Sequence, residues 1–148
     1  MENYKINDKT MALYSLNAKT RVYEEEKCFE VEETANHIME NSCSYYGSSL
    51  EGRKKGSTSL IGAKYKVPVI VEESKNIIFF PTDSSKKKNC TWIRFNKIDT
   101  YYYHQGRLVL CFKNGDKLVL DHSLPVIENQ ILRSTRLEAL IRARKNGE

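Results

Sequence analysis

The sequence predicts an α+β fold in which antiparallel hairpins pack against a long C-terminal helix. Short segments that alternate apolar and polar residues recur along the chain, a pattern typical of half-buried strands. Asn114-Gly115 lies between two such segments and is a strong hairpin signal, because a type I′ turn needs two positive φ angles. Apolar residues then recur at helical spacing over 123–145.

Three strands are predicted near the N-terminus, after ten polar residues that we expect to be frayed. They cover 11–16, 20–24 and 27–33. Alternation in the third strand places Phe29 and Val31 on its core side. A short helix is predicted over 34–42, because Thr34 is a natural N-cap.

Six further strands and one long helix are predicted in the remaining sequence. The strands cover 68–72, 76–80, 89–96, 98–104, 107–113 and 116–121. The helix covers 123–145, with Ser123 as its N-cap and Pro125 in its first turn. A curved sheet closed by this helix, as in pleckstrin-homology-like barrels, would accommodate these elements.

Length and charge predict one domain with a polyanionic partner. The 148 residues fit a single domain over 1–148. Without an apolar run long enough to span a membrane or an apolar signal segment, the expected location is the cytoplasm.

The charge is unevenly distributed along the chain. Residues 1–50 contain 5 Lys/Arg and 9 Asp/Glu, whereas residues 51–148 contain 19 Lys/Arg and 10 Asp/Glu. An acidic first part and a basic remainder favour nucleic acid as the partner; the alternative is a solvated surface.

The sequence predicts neither catalysis nor a metal or cofactor. The chain contains four cysteines, Cys28, Cys43, Cys90 and Cys111. They lie too far apart in sequence for the usual zinc-binding spacing, so we expect them to be buried free thiols. The adjacent Asp121-His122-Ser123 has the residue types of a catalytic triad, but neighbouring strand residues point to opposite faces.

Two basic runs are the candidate DNA contacts. Arg53, Lys54 and Lys55 lie between two glycines, and we interpret them as the tip of a basic loop. The second run is Lys86, Lys87 and Lys88, in a polar loop. Each run is alternatively a solvated turn. Because the only long helix predicted is terminal, we expect no helix-turn-helix, and DNA contact through loops or strands.

Three arginines are candidates for the narrow, negative minor groove of A/T-rich DNA: Arg53, Arg94 and Arg107. Arg94 is alternatively a half-buried partner in a cross-strand ion pair.

Aromatic residues suggest a second nucleic-acid surface. Tyr101 and Tyr103 share one strand face and are candidates for stacking single-stranded bases. The alternative is ordinary core and sheet surface. Trp92 is expected in the core, with its indole N–H hydrogen-bonded.

Several motifs, in order and at similar spacing, resemble the ComK family of competence transcription factors. The matching residues, within about 40–137, are Tyr46-Gly47-Ser48-Ser49, Gly52-Arg53-Lys54, Gly56, Phe80-Pro81-Thr82, Ser84-Ser85, Cys90-x-Trp92-Ile93, Asn114-Gly115, Glu128-Asn129-Gln130 and Arg133. The resemblance implies an activator that binds A/T-rich promoter boxes of DNA-uptake genes. It also implies binding largely through the minor groove, as a homodimer or dimer of dimers.

The resemblance assigns candidate DNA contacts to the glycine–serine–arginine motif. Ser48 and Ser49 are expected to donate to phosphate oxygens beside Gly52, Arg53 and Lys54, with Arg53 entering the groove. The alternative is that this motif caps and packs a turn.

The sequence ends at Glu148, whereas well-studied family members continue into a C-terminal tail. In the family that tail is linked to capture by the MecA adaptor and degradation by the Clp protease, so the resemblance does not carry this tail-dependent control over to the present sequence. A tail-less protein that modulates a full-length family member, with little DNA binding of its own, is the alternative function.

Overall fold

The computed structural model describes residues 3–84 and 90–147, where nine strands form two antiparallel sheets. The strands are β1 Thr10–Leu16, β2 Lys19–Glu24, β3 Cys28–Val31, β4 Val69–Glu72, β5 Ile77–Pro81, β6 Trp92–Arg94, β7 Ile98–His104, β8 Arg107–Phe112 and β9 Lys117–Leu120. The helices are α1 Ala35–Tyr45, α2 Leu50–Ile61 and α3 Leu124–Lys145, and a 3₁₀ turn covers Phe95–Lys97. The predicted α+β class is confirmed, and a strand lies within or across each predicted strand range. The range 89–96 contains only the short strand Trp92–Arg94, because the chain enters a 3₁₀ turn at Phe95, and α2 was not predicted. The likeness to a pleckstrin-homology-like barrel stays a prediction.

A six-stranded sheet, in the order β3-β2-β1-β6-β5-β4, separates the two larger of three hydrophobic clusters. Alternation along β5 and β6 sends Phe79 and Trp92 into the core that α1 covers. Phe80 and Ile93 enter the second core, with the three-stranded sheet β7-β8-β9 and α3. Trp92 is fully buried and donates its indole N–H to Asn36 Oδ1 at 2.8 Å, as predicted.

The N-terminal segment is better ordered than the sequence predicts. Ile6 is fully buried in the first core, and its N–H donates to Ser42 Oγ at 2.9 Å. The N–H of Tyr4 donates to Glu33 Oε1 at 2.9 Å. Fraying therefore does not extend over residues 4–7, because these long-range bonds and the burial of Ile6 hold them to α1 and to the residues that follow β3.

The β8–β9 hairpin forms at Asn114-Gly115, but the predicted turn type was wrong. Gly115 has a φ of 95°, whereas Asn114 is not among the residues with positive φ. The N–H of Gly115 donates to Phe112 O at 2.9 Å. These features are typical of a type I turn followed by a left-handed glycine.

The long helix α3 lies against both the six-stranded sheet and α2. Its buried residues recur every three or four positions: Ile127, Gln130, Ser134 and Leu137. Ser123 is its N-cap, as predicted, although its side chain makes no capping bond with the described residues. No helix in the described ranges is long and apolar enough to cross a membrane.

Candidate nucleic-acid interface

A four-residue turn, 46–49, joins α1 to α2. Gly47 has a φ of 88°, in the left-handed region. Its N–H donates to Ser44 O at 3.0 Å, and the N–H of Ser48 donates to Cys43 O at 2.9 Å. This pair of bonds around a left-handed glycine is a Schellman motif, which ends α1 sharply and turns the chain into α2.

Ser49 begins α2 as its N-cap. Its Oγ accepts the N–H of Gly52 at 2.9 Å, which satisfies an otherwise unpaired donor of the first turn. A Cβ at position 52 would lie 3.0 Å from that Oγ, so glycine allows the close cap. Gly47, Ser49 and Gly52 thus support the alternative that the motif caps and packs a turn. The Ser49 hydroxyl hydrogen is not used in this bond, so phosphate contact stays a prediction for Ser49 and for exposed Ser48.

The three cations that follow lie on the first two turns of α2, not on a loop tip. Arg53 and Lys54 are half-buried and Lys55 is exposed. The Nε of Arg53 is buried without a hydrogen-bond partner among the described residues. Burial raises the pKa of the Cys43 thiol to about 11, and the charges of Arg53 and Lys54 act in the opposite direction. Both cations therefore lie close enough to the α1–α2 contact to influence this buried thiol.

Two sequence expectations about this region were wrong. Residues 50–61 are helical although they include Gly52 and Gly56, because the Ser49 cap and the buried side chain of Leu50 stabilise the helix. The expectation that the terminal helix has no counterpart elsewhere in the chain also fails, since α1 and α2 are two helices joined by a short turn that contains a glycine.

Arg94 lies inside the protein rather than at its surface. It is 3% exposed, and Nη1 donates to Asp8 O at 2.7 Å, Nη2 to Lys75 O at 3.3 Å and Nε to Asn96 Oδ1 at 3.0 Å. Burial lowers the pKa of Arg94, and the carboxylate of Asp8, 3.5 Å away, opposes this effect. These bonds favour the ion-pair alternative over DNA contact, although Arg94 is fully buried rather than half-buried and Asp8 precedes β1 instead of lying on a neighbouring strand.

The remaining predicted cations are the lysine run of the polar loop and Arg107. Lys86, Lys87 and Lys88 lie outside the described residues, so their contact with DNA stays a prediction. Arg107 is exposed on β8, with its Nε 3.7 Å from Asp121 Oδ1.

A further basic segment, Lys64 to Lys66, follows α2 and was not predicted from the sequence. Gly62 ends α2 with a φ of 77°, and Lys66 has a φ of 53°. Two side chains of α3 hold this segment. Gln130 Nε2 donates to Lys66 O at 2.7 Å, and Arg133 Nη1 donates to Tyr65 O at 2.8 Å. The sequence signal was two lysines shortly after a basic stretch, but their link to α3 is visible only in three dimensions.

The tyrosine face of β7 is largely engaged within the fold. Tyr101 packs against the second core, and its hydroxyl donates to Glu128 Oε2 at 3.1 Å. The hydroxyl of Tyr103 accepts the N–H of Leu124 at the start of α3. This arrangement favours the core-and-surface alternative over base stacking.

The described residues show no grouping that binds a metal. All four cysteines are free thiols, and among residues 3–84 and 90–147 no three or more His, Cys, Asp or Glu side chains are grouped to hold an ion. Cys43 and Cys90 are buried as expected, but Cys111 is half-buried and Cys28 is exposed, because alternation along β3 points Cys28 to the face opposite Phe29 and Val31.

The sequence matches a known family and a curated relative. The family model described as ComK protein matches residues 1–146. The chain is 30% identical over 142 residues to the competence transcription factor of Bacillus subtilis (strain 168), covering 93% of this chain and 74% of that protein. No solved structure matches the chain significantly.

Proposed function

The chain belongs to the ComK family, and from this premise we propose that it is a DNA-binding transcriptional activator of competence genes. We propose that its targets are A/T-rich promoter boxes and that it acts in the cytoplasm as one domain. Binding as a homodimer or dimer of dimers would match paired boxes. The relative's name, competence transcription factor, supports this proposal.

The observation that carries the proposal is the run of cations at the start of α2. Arg53, Lys54 and Lys55 follow a turn fixed by a Schellman motif and a serine cap. A rigid backbone at this place limits the entropy lost when the cations contact DNA. Lysine charges favour the phosphate backbone, whereas arginine is preferred in the narrow minor groove of A-tracts. Arg53 is accordingly the proposed groove contact, and Lys54 and Lys55 are the proposed phosphate contacts.

The direct test is fluorescence anisotropy with two duplexes of equal length over a series of salt concentrations. One duplex contains paired A-run and T-run boxes, and the other replaces these boxes with G·C-rich sequence. Tighter binding to the A/T duplex supports the proposal, with each phosphate contact adding about −0.9 to the slope of log K against log salt. Equal binding to both would leave only an unspecific basic surface. Absence of binding to either would favour the alternative of a protein that modulates a full-length family member.

A third duplex identifies the groove. Inosine–cytosine pairs present the minor-groove groups of A·T pairs but the major-groove groups of G·C pairs. Substituting these pairs into the boxes is expected to preserve binding. Loss of binding to this duplex would contradict the minor-groove part of the proposal and direct attention to insertion of α2 into the major groove.

A further inference from the structure

A cavity of about 470 Å³ lies between the outer face of α2 and the segment that follows it. Among the described residues, its lining contains four lysines, Lys54, Lys55, Lys64 and Lys66, and one carboxylate, Glu51. Glu51 lies in the first turn of α2, where the helix N-terminus compensates part of its negative charge. The cavity is therefore strongly basic, although only two of its lysines belong to the cationic run of α2.

The backbone of the segment Lys64 to Lys66 is fixed by side chains of α3. Gln130 is 1% exposed and bridges two carbonyl oxygens, Lys66 O at 2.7 Å and Pro81 O at 2.8 Å. Arg133 adds its bond to Tyr65 O at 2.8 Å. These donors use backbone oxygens, so they position the segment without consuming the charges of its lysines.

The lysine charges of this segment are not used in ion pairs within the described part of the chain. None of the ion pairs there includes Lys64 or Lys66. Lys64 is exposed, and the ring of Tyr65 beside it is 80% exposed. A fixed backbone that presents uncompensated ammonium groups into a concave surface is suited to an extended polyanion.

We propose that this cavity binds phosphates of the DNA backbone, with Lys64 and Lys66 adding contacts beside those of α2. The inference rests on the proposed function, because it assigns further contacts to the same DNA partner. Lysines act as point charges on phosphate oxygens and do not discriminate between bases. The two lysines therefore contribute affinity and salt dependence, and the preference for A/T-rich sequence comes from other residues. Gln130 and Arg133 are positioning residues of this site.

The test compares a double variant, Lys64→Gln with Lys66→Gln, with the parent chain on the A/T duplex over the salt series. Glutamine retains most of the side-chain length. Position 66 has a positive φ of 53°, and replacing lysine by glutamine there leaves the backbone preference of the position nearly unchanged, since neither residue is glycine. The expected slope of log K against log salt is shallower by about 1.8, and affinity near 0.1 M salt falls roughly 10- to 60-fold. The ratio of A/T to G·C affinity should stay unchanged. The matched control is Lys19→Gln with Lys113→Gln, which removes the same charge from exposed positions outside the cavity and should change the slope much less.

Three results would overturn the inference. Parental slope and affinity in the double variant, while Lys54→Gln weakens binding, would overturn the inference and leave the proposed function intact. Absence of DNA binding by the parent chain would overturn both. Calorimetric binding of inorganic phosphate that the double variant loses, together with an unchanged DNA slope, would assign the cavity to a free anion instead.

Discussion

Arg133 of α3 donates its Nη1–H to the backbone oxygen of Tyr65 at 2.8 Å, across 68 positions of sequence. The same nitrogen lies 3.3 Å from Gln130 Oε1, so two neighbouring side chains of α3 act together. Through them the C-terminal helix fixes the backbone of the segment after α2. The helix α3 therefore helps to position the basic cavity beside α2, although it contributes no lysine to that cavity.

Arg133→Ala should therefore loosen the segment that contains Tyr65 and Lys66. We expect amide hydrogen exchange to accelerate there. The free energy of unfolding should fall by about 1–2 kcal/mol, because carbonyl oxygens lose a charged donor. The control is Arg136→Ala, which removes an exposed arginine one turn further along α3. Equal exchange in both variants would show that Arg133 does not position the segment.

Gly47 and Gly56 should respond in opposite directions to replacement by alanine. Gly47 has a φ of 88°, so Gly47→Ala should lower the free energy of unfolding by about 1 kcal/mol. Gly56 lies within α2, and a Cβ there would meet nothing within 4 Å. Gly56→Ala should raise the free energy of unfolding by about 0.5–1 kcal/mol. Urea titration measures both changes, and destabilisation by Gly56→Ala would contradict the helical structure at this position.

Arg53 and Lys54 should differ in their effect on sequence preference. If Arg53 enters the groove, Arg53→Ala should cost about 1–3 kcal/mol on the A/T duplex and reduce the preference for it. Lys54→Ala should weaken binding to both duplexes alike and lower the salt slope by about 0.9. Circular dichroism checks that both variants are folded. A folded Arg53→Ala variant with parental preference would contradict the groove assignment.

The sequence predicted those elements whose signals are local. Thr34 was expected to cap α1, and its Oγ accepts the N–H of His37 at 3.1 Å. The helix α2 was missed because glycines are poor helix formers. In the fold, Gly52 is needed beside the Ser49 cap and Gly56 faces open space, while Leu50 is buried in the first core. Tertiary packing of this kind outweighs local propensity, and a single sequence does not show it.

The candidate site was predicted only in part, for a related reason. The cationic run of α2 is contiguous, so its charge was evident in the sequence. Arg94 was also predicted as a DNA contact, because an arginine near a strand end is usually exposed to solvent. Its partners Asp8 and Lys75 are 86 and 19 positions away. The burial of a charge is decided by such distant partners, which local alternation does not reveal.

Arg94→Ala should destabilise the fold without a specific effect on DNA preference. The substitution leaves the carbonyl oxygens of Asp8 and Lys75 without the buried donor that they share. A hydrogen bond from a charged donor typically contributes about 1.5–3 kcal/mol, and the Asp8 carboxylate that loses its partner is itself 61% exposed, so we expect a loss of a few kcal/mol, roughly 2–3. Thermal unfolding measures the loss, and Arg107→Ala is the control, because that arginine is 66% exposed. Parental stability together with lost DNA binding would restore Arg94 as a DNA contact.

Stability should fall as the pH rises from about 9 to 11. Burial raises the pKa of both Cys43 and Cys90 to about 11, whereas unfolded cysteines titrate at about 8.5. Between these values the folded state binds more protons than the unfolded state, so the free energy of unfolding decreases with pH. Burial also raises the pKa of Tyr4, which acts in the same direction above pH 10. Urea titrations across this range should therefore give a shallower decline for the double variant Cys43→Ala with Cys90→Ala than for the parent. An identical decline in both proteins would show that neither buried thiol contributes to the alkaline loss of stability.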